Sequence, residues 1–184
     1  PIPNSDVIIH PGDCNKKIDS ILEEIENYKR PSILLFADPE GITEIKWTTI
    51  SKILSKKIVD IIYILSTGGF KRAVTEEHLE KHFPSLSEEE KLKILSRKCS
   101  SEELVKIFVK SILKEVKRYR IFYESLPIYN EKNTEVYRIV WASCSQGAAN
   151  ALERTFELIK KTSNEDILQT IQVILGKQEK LRIT

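Results

Sequence analysis

Three short polar turns hold the residues best suited to chemistry: Gly12-Asp13-Cys14-Asn15, Asp38-Pro39-Glu40-Gly41 and Ser66-Thr67-Gly68-Gly69. Each closes an apolar, β-branched run. Ligands of open α/β sheets bind at the carboxyl ends of strands, where loops and helix starts converge. A carboxylate at Asp13 or Asp38 can accept hydrogen bonds from an adenine amino group, a ribose or a substrate amine. Glycines in these turns let backbone approach a ligand closely. The same residues can also serve only to cap the following helices and turn the chain. Their types and spacing leave both roles open.

Weaker constellations lie elsewhere. Asp38, Glu44 and Lys46 mimic the Asp…Glu-x-Lys pattern of metal-dependent nucleases, in which two carboxylates hold a divalent ion. The separation is too short for the hairpin that joins such residues. His78 and His82 stand one helical turn apart, as zinc ligands can, but no Glu follows His78 directly. A solvated pair near a helix end explains that spacing better. Lys106, Lys110, Lys114 and Lys117 line one helix face, followed by Arg118 and Arg120. Such spacing can track a phosphate backbone. Glu102, Glu103 and Glu115 interleave, which favours an ordinary ion-paired face over a nucleic-acid surface. Phe36 and Trp141 fall within strands and read as core. Cys14 borders the first turn with no histidine partner in sight, and Cys14, Cys99 and Cys144 have no paired spacing. We read all three as reduced thiols.

The elements that must position these turns follow from periodicity. Asp6–His10, Ser32–Ala37 and Asp60–Leu65 are continuous apolar runs of the kind a parallel strand covered on both faces requires. Helical spacing lies between them, at about Lys16–Tyr28 and Trp47–Lys56. Strand, helix, strand, helix, strand predicts right-handed crossovers and a parallel sheet. From Phe70 to Tyr119 only helical patterns occur, at roughly Phe70–Phe83, Ser87–Arg97 and Ser101–Tyr119. Ser87 and Ser101, each followed by glutamates, read as helix caps. Arg120–Leu126 and Glu135–Ser143 read as an antiparallel pair around Asn130-Glu131-Lys132-Asn133, and Gln146–Lys161 and Asn164–Leu175 as closing helices. The expectation is one α/β domain over 1–184: a Rossmann-like, mostly parallel sheet, a helical insertion at about 70–119 and a C-terminal antiparallel pair.

Composition narrows the class. The 184 residues are 41% hydrophobic and 30% charged, which is too apolar for a disordered chain. No apolar run approaches the roughly 20 residues a membrane span needs. The 29 basic and 27 acidic side chains leave a net charge of +2, which by itself argues for no nucleic-acid partner. Without a leader peptide at the start, the expected address is cytoplasmic. Abundant lysine and the absence of methionine lean toward a thermophile source.

Gly12-Asp13-Cys14-Asn15 before a helix, an apolar strand into Asp38-Pro39-Glu40-Gly41, and Trp47 opening the next helix together resemble the three-Cys-motif partner proteins. The Tyr137–Ser143 strand followed by a helix is similar to theirs as well. The resemblance implies a Rossmann-type, S-adenosylmethionine-dependent methyltransferase fold. It implies that Asp13, with Cys14 beside it, borders the cofactor's adenine, and that Asp38-Pro39 borders the methyl-transfer site. Two departures stand out. Glu40-Gly41 replaces the aromatic that amine methyltransferases place there. The family's glycine loop and acidic ribose-binding residue are expected upstream of Pro1, so tight S-adenosylmethionine binding by this chain alone is not expected.

In the family's strand order, 3-2-1-4-5-7-6, strands one and two separate the third from the fourth. Without them the Val7 and Ile33 strands have unpaired edges, which are costly. The expected repair is a five-stranded sheet with those strands paired, a homodimer through one of these edges, or a protein partner that fills the gap. The remaining functional alternatives are a non-catalytic interaction module and a metal-dependent nuclease.

Overall fold

The computed structural model describes residues 8–161, apart from 30, 40, 42–43, 57–58, 84–85 and 117–120. The described residues form two compact units, one ending at Ser145 and one beginning at Gln146.

In the first unit, α1 (Cys14–Glu26) leads to β1 (Ile33–Ala37), α2 (Trp47–Leu54) and β2 (Val59–Leu65). Four helices follow: α3 (Thr67–Ala73), α4 (Glu76–His82), α5 (Glu88–Leu95) and α6 (Ser101–Val116). The hairpin of β3 (Phe122–Tyr129) and β4 (Glu135–Ser143) ends the unit. The sheet is open and runs β1-β2-β4-β3. Only β1 and β2 are parallel; β4 is antiparallel to both its neighbours. The expectation of a mostly parallel sheet is therefore corrected to a mostly antiparallel one with one parallel pair. The mixed α/β class and the C-terminal antiparallel pair stand.

The difference has two causes. Ile8–His10, the described part of the first expected strand, is coil, and Ile8 and Ile9 are exposed. A strand needs a ladder partner for its backbone groups, and no described strand offers one there. Second, β4 returns past β3 to pair with β2, so the parallel pair gains an antiparallel neighbour. The expected pairing of Val7 with Ile33 lies outside the described residues, as does the expected helix at 164–175.

All six helices of this unit pack on one face of the sheet. Register puts Leu35, Ala37, Ile61, Tyr63, Leu65, Val140 and Ala142 on that face, and they join the helix residues in the core. Phe108 on α6 sits at its centre, with ring centroids 4.7 Å from Tyr63 and about 6 Å from Trp47 and Phe83. Such tilted and edge-on contacts suit the aromatic quadrupole. α1 adds a smaller cluster, Ile18, Leu22 and Ile53, over Ile33, Leu35 and Val59. On the other face of β1, Leu34 and Phe36 are each 62% exposed. Phe36 is thus not a core residue as expected, whereas Trp141 is, at 3%.

Local chemistry sets the helix boundaries. The stretch read as one helix over 70–83 breaks at Val74, which is extended, and restarts where the Thr75 hydroxyl accepts from the His78 amide. Ser87 and Glu90 form a reciprocal capping box on α5. For α6 the capping residue is Ser100 rather than Ser101: its amide donates to Glu103, and its hydroxyl accepts from the Glu103 amide. In the second unit, α7 (Gln146–Lys161) carries none of the expected site residues. No helix among the described residues is long and apolar enough to cross a membrane.

Candidate functional site

The Asp13 turn is tied to residues 44–49 of the segment that follows β1, through Asn15. Asp13 caps α1 by accepting the Asn15 amide at 2.9 Å, and the same carboxylate oxygen accepts the Asn15 side-chain amide at 3.0 Å. These two bonds, the backbone one first, hold the Asp13 carboxyl below its usual range. Both of these bonds end on the same Asp13 oxygen, Oδ1.

Asn15 then reaches across to the loop that follows β1. Its Nδ2 donates to the Glu44 carbonyl at 2.7 Å, and its Oδ1 accepts from the Lys46 amide and the Thr49 hydroxyl, both at 2.8 Å. Lys46 starts α2 without a side-chain cap of its own, so Asn15 does that work from a different helix. Thr49 is buried, and its hydroxyl depends on this partner. One carboxamide thereby fixes the Asp13 turn against the 44–49 segment.

Around this joint, Asp38 is exposed and Pro39 is buried just past the last residue of β1. Burial, with the nearby charge of Glu44, pushes the Tyr63 phenol up to about 12, so Tyr63 stays neutral. Tyr63 pairs in register with Ala37, the last residue of β1. Glu115 ties the far side of α2 to α6, accepting from Trp47 Nε1 at 2.9 Å and Ser51 Oγ at 2.6 Å. Asp38 stands just past the end of β1, the Asp13 turn is joined to the 44–49 segment, and Cys14, next to Asp13, is exposed.

The third turn is used internally. Ser66 caps α3. A Cβ on Gly68 would stand 3.3 Å from the Val136 carbonyl, so the absence of a side chain lets α3 lie against β4. Thr67 is fully buried and faces Glu135 without a well-aligned hydrogen bond. Arg138 donates to Glu135 of its own strand at 2.9 Å, and reaches Glu102 at 2.5 Å and Ser125 at 3.3 Å. Burial pushes the Glu135 carboxyl up; Arg138 and the Ser101 and Thr67 hydroxyls more than offset this and leave it low. Both Glu135 oxygens accept from Arg138, and Gly68 serves packing.

The weaker constellations fare differently. No group of three or more His, Cys, Asp or Glu among the described residues is placed to hold a metal ion. Asp38, Glu44 and Lys46 are all exposed. His78 sits 3.2 Å from the Ala73 carbonyl, and the His82 side chain lies outside the described set. Lys110 of the basic face pairs with Glu90 at 2.6 Å, and Lys117, Arg118 and Arg120 lie outside the described residues, as does Glu40. Cys14, Cys99 and Cys144 are free thiols.

Sequence reasoning named Asn15 only as part of the first polar turn and missed both its organising role and Thr49. An asparagine in the first turn of a helix whose cap is already supplied by Asp13 is the one signal that could have marked it. In comparisons with known protein families, curated proteins and solved structures, no match was found.

Proposed function

We propose that this chain is a methyltransferase-type α/β protein whose ligand end is the joint of the Asp13 turn and the Asp38–Lys46 loop. The observation that supports this reading is the strand order. β1-β2-β4-β3 corresponds to strands 4-5-7-6 of the methyltransferase order, with the last strand inserted between two earlier ones. Asp38-Pro39 then follows the strand that precedes the methyl-transfer site, as the sequence resemblance requires.

The residues present fit part of S-adenosylmethionine, which when bound supplies an electrophilic methyl group on sulfur. The second Asp13 oxygen is suited to accept an adenine amino group, because Asn15 occupies only the first. Asp38, exposed at the end of β1, is suited to accept an N–H from a substrate amine and so to orient its lone pair. The Pro39 ring holds that turn in one backbone conformation. No described loop is built to wrap the methionine part. A second reading, a non-catalytic module that pairs with another protein, draws on the open β1 edge and its exposed Leu34 and Phe36.

Calorimetry separates the two. Three or four missing hydrogen bonds at about 1 kcal/mol each weaken binding by roughly a hundredfold to a thousandfold. S-adenosylmethionine titrated into the 184-residue chain is expected to bind no tighter than millimolar. Micromolar binding to this chain would overturn the partial-site account. A longer form that carries a glycine loop ahead of Pro1 is expected to bind more tightly and to lose methyl transfer with Asp38→Ala. Equal failure of both forms would favour the interaction module.

A further inference from the structure

The two edges of this sheet are built differently. β3 ends one edge with Pro127, which has no N–H to offer, with Glu124, and with an irregular register at Ile128/Tyr129. These are the devices that keep edge strands from pairing with other chains. β1 ends the other edge as Ile-Leu-Leu-Phe-Ala, without proline, charge or bulge. No described strand covers it, and Leu34 and Phe36 project from the face opposite the helices, each 62% exposed. The edge is five unprotected residues flanked by apolar side chains.

We propose that, in the 184-residue chain, this edge pairs antiparallel with the β1 edge of a second copy about a two-fold axis through Leu35. An isologous contact must be self-complementary, and this one is. In that register Ile33 meets the partner's Ala37, Leu34 meets the partner's Phe36, and Leu35 meets its own counterpart. Both Leu34–Phe36 pairs fall on the same face, so four exposed side chains form one apolar cluster. Charge agrees with the same orientation. The strand enters from exposed Lys29 and leaves into exposed Asp38, so antiparallel pairing sets a basic flank beside an acidic one at both ends. One other occupant within the chain, residues 1–7, is Pro-Ile-Pro-Asn-Ser-Asp-Val, and its two prolines make a poor ladder strand. A ladder of five residues a side is a short contact beside the roughly 1,600 Å² of a standard stable interface, so the dimer is expected to be weak and reversible, with a Kd on the order of micromolar or above. It consumes the open edge and therefore stops at two copies. The proposal is made for the 184-residue chain and does not rest on the methyltransferase reading, in whose strand order the family's first strand would take this same edge.

Sedimentation equilibrium from micromolar to millimolar protein tests it. The wild-type chain is expected to dimerise reversibly, and Leu34→Glu and Phe36→Lys are each expected to raise Kd about tenfold or more. Both positions are exposed, so neither change threatens the fold, and circular dichroism checks this. Mixing the two variants is the discriminating step. In the two-fold register their new charges face each other, so the mixture is expected to recover a heterodimer that neither forms alone. A wild-type chain that stays monomeric overturns the proposal, including one whose β1 amides resist hydrogen exchange because residues 1–7 cover them. So does a dimer that persists in both variants, or a mixture that recovers nothing.

Discussion

Arg138→Met is expected to lower the unfolding free energy by about 3 kcal/mol, since it strands a buried carboxylate. The Arg138 side chain is only 8% exposed and that of Glu135 only 15%. Methionine preserves the apolar stem but leaves Glu135 without its cation. Glu102 adds little, because it is largely exposed. Urea unfolding at pH 7 reads the loss, and a change below about 1 kcal/mol would mean that water compensates Glu135. The pH dependence has a defined sign. Glu90, Glu102, Glu103 and Glu135 all titrate below the usual range, Glu103 at about 2 through its hydrogen bond from Lys93. A depressed folded pKa contributes stability above the unfolded value, near 4.3, and loses it as pH falls through the folded value. Acid destabilisation is thus expected to set in below about pH 4.5 and to continue toward about 2, more gently in Arg138→Met than in wild type.

Asn15→Ala carries the second large effect, about 2–3 kcal/mol. It removes the acceptor of the Lys46 amide and of the buried Thr49 hydroxyl, together with the donor to the Glu44 carbonyl. The consequence is local as well. With that joint gone, amide exchange across residues 44–49 is expected to accelerate while β2 and β4 stay protected. Asn15→Asp keeps the acceptor but cannot donate to Glu44, and it adds a negative charge beside Asp13. It is expected to recover only part of the loss. Thermal melts of the three proteins, with hydrogen exchange, check the order; an alanine variant as stable as wild type would remove Asn15 from its place at the centre of the site.

Some of this was legible in the residues. Glu135–Ser143 read correctly to the residue because Thr134 and the Asn130 turn bound one end and Ser143 the other. The Ser87 cap was visible in its Ser-x-x-Glu spacing. The same rule, applied strictly, selects Ser100 with Glu103, and the neighbouring Ser101 obscured it. Phe36 was misread because a continuous apolar run looks alike whether its second face is covered within the chain or left open. Ile8–His10 has strand composition but no ladder partner, and composition carries no information about partners. The Asp13 and Asp38 turns were legible as strand-end chemistry. Their joining by Asn15 was not, since bonds spanning 29 to 34 residues leave no periodic trace.

The functional reading rests on β4 lying between β2 and β3, and backbone NMR tests that placement most directly. The structure requires cross-strand contacts between Ile61 and Ala142 and between Tyr63 and Val140, in antiparallel register, alongside those joining Ser125 to Val140. Nuclear Overhauser effects linking β2 to β4 at these pairs are the predicted result. Contacts running directly from β2 to β3, with β4 on the outside, would contradict the account and remove the strand order on which the methyltransferase reading stands.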